Sequence, residues 1–171
     1  MWRGSTPQRQ VPCDGRGVVV NAKALDVYVD AKQQARFRRR ALRAFHKNQE
    51  YAEAIFIRRG LGEFYVERFV PLHITKADTY IVEYDDVHCA ALKNEAHILG
   101  LEFGTIHTHV VLESGSAPSK HDHTDGVKEG ETLVGVCEIE QKTKGGRVRL
   151  TMDFWQPQLP AVLHVVKSRK K

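Results

Sequence analysis

The sequence predicts an α+β fold, a mixed β-sheet with helices packed on it in a single domain. Three observations predict it. Short runs rich in β-branched and aromatic residues recur along the chain, bounded by Gly, Pro and Asp. Two segments between them carry apolar residues at helical spacing. The resulting order, β-α-β-β-β-α-β-loop-β-β, lacks the regular βα alternation of a Rossmann fold and reads as a sandwich rather than a barrel. A chain of 171 residues, 42% of them hydrophobic, suits one core.

Residues 1–16, rich in Gly, Pro, Gln and Arg, read as a flexible lead-in. The folded domain is expected over 17–166, and 167–171 read as a basic tail. G-V-V-V-N-A and L-D-V-Y-V-D give the first β-branched runs, and Asp30 is placed to cap a helix. In that helix Phe37, Ala41, Ala44 and Phe45 form an apolar stripe, while Arg36, Arg39, Arg40 and Arg43 occupy another face. From Ala52 to Leu72 two apolar runs flank G-L-G, the pattern of a hairpin, with Pro71 closing its second strand. T-Y-I-V-E-Y (Thr79 to Tyr84) reads as a strand. Asp85 starts a second helix with Val87, Ala90, Ala91 and Ile98 at helical spacing, and Gly100 stops it. L-E-F-G-T-I-H-T-H-V-V-L is the next strand. E-T-L-V-G-V-C-E-I-E and R-V-R-L-T-M-D-F-W are two more, separated by T-K-G-G, and L-P-A-V-L-H-V-V-K is a last apolar run.

Composition narrows the function classes. No apolar run approaches the roughly 20 residues of a membrane helix, and the first ten residues lack the apolar centre of a secretory signal. A cytoplasmic protein is expected. Cys13, Cys89 and Cys137 are odd in number and far apart, which suggests neither a disulfide framework nor a thiolate zinc site. No base is identifiable that would make Cys89 a nucleophile. The net charge of +5 is concentrated in R-F-R-R-R-A-L-R and K-S-R-K-K. Such a surface attracts nucleic acid, anionic lipid or an acidic protein, but it is also the ordinary wet face of a helix.

Chemistry is concentrated in G-T-I-H-T-H-V-V-L-E-S-G-S-A-P-S-K-H-D-H-T-D-G, Gly104 to Gly126. Side chains at i and i+2 of a strand share a face, so His107 and His109 present two imidazoles side by side, a natural ligand pair for one zinc ion. A catalytic site needs a third protein ligand. Asp122 is a candidate, with His121, His123 and Asp125 in competition. Imidazole with carboxylate suits zinc better than calcium or magnesium, which prefer oxygen ligands.

H-T-H followed by A-P-S-K-H-D resembles the signature of the JAMM (MPN-plus) metalloproteases: His, Ser or Thr, His, a spacer, then Ser-x-x-Asp. The order of helices and strands around it resembles the family's over about Val18 to Pro157. The resemblance implies an MPN-type, cytidine-deaminase-like sandwich. It also implies a single zinc ion held by His107, His109 and Asp122, with Ser119 as oxyanion donor and His121 and His123 as bystanders. The spacer, Val110 to Pro118, is two residues longer than the family pattern, a small loop-entropy change. The family's general base is a glutamate at the start of an early strand. Glu53, in E-A-I-F-I-R-R-G, keeps the glycine seven residues on (Gly60) but has Phe56 where the family has its first glycine. Glu50 is the alternate.

The activity that the resemblance implies is zinc-dependent hydrolysis of an amide, an isopeptide or peptide bond after the C-terminal glycine of a ubiquitin-like protein. Zinc would acidify a bound water, Glu53 would take its proton, and Ser119 would stabilise the oxyanion. The partner is then the ubiquitin-like protein or its conjugate. The alternative is a catalytically silent or DNA-associated protein of the same fold, with nucleic acid held by the basic helix.

Overall fold

The computed structural model describes residues 26–79, 81–111, 130–141, 143 and 145–169. β1 (Asp26–Asp30) leads directly into α1 (Ala31–Phe45). The Asp30 side chain accepts from the backbone N–H of Lys32 and of Gln33, both at 3.0 Å, the N-cap expected of it. α1 gives way to a turn that contains Asn48 at φ +56°, a left-handed conformation that Asn tolerates. β2 (Ala52–Arg59) and β3 (Glu63–Pro71) form the expected hairpin around G-L-G.

β4 (Ile74–Ala77) pairs with β5 (Val82–Tyr84) in a separate two-stranded sheet. The sequence pattern does not reveal β4, a four-residue strand hidden behind Pro71. Within T-Y-I-V-E-Y the described strand is Val82–Tyr84. Asp85 caps α2 (Asp86–Ile98) by accepting from His88 N–H at 2.8 Å. Gly100 at φ +67° turns the chain out, its N–H bonded to His97 O. β6 (Glu102–Val111), β7 (Val134–Gln141), β8 (Val148–Gln156) and β9 (Leu159–Arg169) complete the fold.

The main sheet runs β1-β3-β2-β6-β7-β8-β9 and closes on itself, because β1 pairs in parallel with β9. The sheet is mixed, as expected, but the open sandwich is replaced by closure into a barrel. The terminal run explains the difference. It continues as strand through Lys167, Ser168 and Arg169, which pair with Tyr28, Val29 and Asp30, and Lys167 Nζ reaches Asp26 at 2.5 Å. Residues 167–169 therefore belong to the domain rather than to a tail. Closure leaves the sheet no unpaired edge.

Two apolar clusters lie on opposite faces of the β2–β6 pair. On the inner face, Ile55, Ile57 and Ile106 pack with Phe37 and Ala41 of α1 and with Cys137, Met152 and Phe154. On the outer face, Ala52, Ala54, Phe56 and Phe103 pack with Leu92 and Ala96 of α2. The α1 stripe holds as expected, with Phe37 and Ala41 buried and Ala44 and Phe45 half-buried. The α2 stripe does not. Val87 and Ile98 are exposed, at 80% and 74%, and the buried pair is Leu92 and Ala96. The i, i+4 spacing of that pair lies one face away from the stripe chosen by sequence. Among the described residues no helix is long and apolar enough to cross a membrane.

Candidate functional site on the outer face of the β2–β6 pair

β6 is pressed close to the chain that precedes β7. A Cβ on Gly104 would lie 2.1 Å from the Leu133 carbonyl oxygen, so only glycine fits there. Beyond Gly104 the strand alternates. Ile106 and Thr108 face inward and are fully buried, while His107 and His109 face outward and are half-buried. The two imidazoles converge, with ring centroids 4.8 Å apart and Nε2 to Nε2 at 2.9 Å. At that distance one ring donates and the other accepts. Two nitrogen ligands of a tetrahedral zinc ion stand about 3.3 Å apart, for bonds of about 2.0–2.1 Å. The pair thus fits a shared metal after a few tenths of an ångström of opening.

Glu53 lies on the other side. In the antiparallel register it pairs with Ile106, and His107 pairs with Ala52. Since paired residues share a face and successive residues alternate, the Glu53 side chain points inward, away from both imidazoles. It is fully buried and clamped by Arg40, with Nε to Oε1 at 2.6 Å and Nη2 to Oε2 at 2.9 Å. That bidentate bond raises the Arg40 pKa despite partial burial. The Tyr51 phenol sits beside the pair, its pKa pushed up first by burial and then by the Glu53 charge. The structure therefore does not bring Glu53 together with His107 and His109.

Glu50, the alternate carboxylate, lies two residues before β2, outside the paired register. Tyr51 and Thr108 lock the end of the pair: Thr108 N–H donates to Tyr51 O, and Tyr51 N–H donates to the Thr108 hydroxyl, both at 2.8 Å. The paired register ends at Ala52 and His107, and the Tyr51 N–H leaves the backbone ladder for the Thr108 side chain. Glu50 is buried at 7% exposure, and its N–H is bonded to Asp78 O beside the β4–β5 sheet. One more carboxylate escapes sequence reasoning. On the parallel neighbour β7, Glu138 is in register with His109 and shares its face. The E-I-E alternation of β7 carried that signal.

Ser119, Asp122, His121, His123 and Asp125 lie outside the described residues. Among the described residues no group of three His, Cys, Asp or Glu side chains is arranged to hold a metal ion, so a third ligand would have to come from outside them. Cys137 is buried in the inner core, where burial pushes its thiol up to about 12. This is an inert thiol.

No family model matches the chain, and no curated protein matches it. Among solved structures it is similar to the solution structure of protein DSY2949 from Desulfitobacterium hafniense. The TM-score is 0.59 at 14% identity, and the match covers 85% of this chain and 94% of that one. At that identity the likeness shows a shared fold alone.

Proposed function

We propose that the chain is a JAMM-type zinc-dependent amide hydrolase acting after the C-terminal glycine of a ubiquitin-like protein, on an MPN-type core whose sheet has closed. The observation that carries this reading is the convergence of His107 Nε2 and His109 Nε2 at 2.9 Å on one face of β6. His107, His109 and Asp122 would hold the metal. Zinc bound there would supply Lewis acidity and a nucleophilic water near neutral pH.

The chain's own residues would do the rest. Glu50, the alternate carboxylate before β2, holds the proton taken from the nucleophile and returns it to the leaving amine, a role worth about 10²–10⁴ in rate. It takes the place of Glu53, whose carboxylate is committed to Arg40. The paired bonds between Tyr51 and Thr108 tie the chain next to Glu50 to the β6 residue between the two histidines. Ser119 donates to the developing oxyanion.

The test is metal analysis together with cleavage of a ubiquitin-like protein carrying a fluorogenic amide at its terminal glycine. The wild type is expected to hold about one zinc per chain and to cleave. Glu50→Gln should keep zinc and lose turnover, and His107→Ala should lose both. Full turnover by a zinc-free His107→Ala protein would refute the proposal.

A further inference from the structure

Arg36, Arg39, Arg40 and Arg43 follow one another at i, i+3, i+4 and i+7 on α1 and line a cavity of about 520 Å³. That volume falls in the roughly 300–1,000 Å³ range of small-molecule sites. Arg40 is neutralised by Glu53. Among the described residues, Arg36, Arg39 and Arg43 have no carboxylate partner. The first turn of α1 holds no acidic residue, and the buried Nε of Arg38 on the same helix has no hydrogen-bond partner. Like charges at these spacings repel one another along a helix. The guanidinium groups border a shallow, widely open depression.

The occupant must place several negative charges within the span from Arg36 to Arg43, about 10 Å along the axis at 1.5 Å per residue. Linked phosphates do so, and their oxygens match the planar guanidinium fork. Among the described residues the cavity is lined by arginines alone, without the aromatic stacking platform of a single-stranded nucleic-acid site. We propose that this cavity binds a compact polyphosphate, either an inorganic chain or the phosphate tail of a nucleotide. The site is separate from the histidine face.

Calorimetric titration of the full chain with sodium tripolyphosphate, ATP and adenosine tests this. Tripolyphosphate is expected to bind the wild type and to bind more weakly as salt is raised. The triple variant Arg36→Gln/Arg39→Gln/Arg43→Gln should lose at least about tenfold in affinity, because it removes charge-assisted bonds. These side chains make no described internal bond, so the variant should keep its fold, which circular dichroism checks. Adenosine should not bind. ATP binding tighter than tripolyphosphate assigns a nucleotide and equal binding assigns the inorganic chain, and both support the site. The His107→Ala variant should bind tripolyphosphate unchanged. Loss of binding there would mean that a chelated metal holds the anion and would overturn the proposal. So would absence of tripolyphosphate binding to the wild type, equal binding by the triple variant, or binding of duplex DNA or an oligo-aspartate peptide that tripolyphosphate does not compete away.

Discussion

The two faces of the β2–β6 pair turn ionisable side chains to opposite ends. On the inner face Glu53 is fully buried and paired with Arg40, on the side of the sheet that carries Ile55 and Ile106. On the outer face His107 and His109 stay half-exposed and turn their nitrogens toward each other. A buried carboxylate held by two charge-assisted bonds has no open side for substrate. Two half-exposed imidazoles that meet near a strand end can open by a few tenths of an ångström to share a cation. The parity of one residue in a strand thus separates a structural ion pair from a candidate chemical site.

This contrast can be tested from either side. The largest effect should come from His107→Ala, which is expected to take bound zinc from about one per chain to background without unfolding a half-exposed position. Zinc content by mass spectrometry and a thermal melt check this together. The next effect lies on the inner face. Arg40→Met strands the Glu53 carboxylate in the core and should cost about 3 kcal/mol in urea unfolding, the lower end of the range for a broken buried pair, since Arg40 itself is partly exposed. Adding Glu53→Leu to Arg40→Met should restore most of that loss, because an apolar pair replaces a charged one. Failure to recover would show that Glu53 has a role beyond pairing.

Much of this architecture was legible in the chain. Asp30 and Asp85 announced both helix starts, G-L-G the hairpin, and H-T-H the shared face of the two imidazoles. Three features were not legible, each for a physical reason. Closure of the sheet depends on β9 meeting β1, a contact between chain ends that no local pattern encodes. The buried face of α2 turns on Leu92 and Ala96 rather than on Val87 and Ile98, apolar choices at an equally valid helical spacing. The choice between Glu50 and Glu53 depends on register across strands. E-Y-A-E offers two carboxylates of opposite parity, and the Glu53–Ile106 and Ala52–His107 pairing turns Glu53 away from the histidines.

Smaller effects are expected away from the imidazoles themselves. Glu138→Gln removes the carboxylate in register with His109 and is expected to weaken zinc binding by about tenfold, the low end for groups that support a ligand histidine, measured by competition with a chelator. The smallest effect is at the start of β6. There the Arg59 guanidinium bonds Glu102 and holds its carboxyl below the ordinary 4.5, against partial burial. A depressed carboxylate contributes stability above its unfolded pKa and loses it as pH falls through the folded value. Unfolding free energy should therefore decline below about pH 4.5 by less than about 1 kcal/mol from this pair, and Arg59→Gln should flatten that decline.

The most direct measurement compares Glu50→Gln with Glu53→Gln in one preparation, reading zinc content, unfolding free energy and cleavage of the fluorogenic glycine amide. Glu50→Gln is expected to keep zinc and stability while turnover falls by about 10²–10⁴. Glu53→Gln is expected to keep zinc and most of its turnover while losing stability. The reverse pattern, with a stable and inactive Glu53→Gln beside an active Glu50→Gln, would contradict the assignment of the chemistry to the outer face.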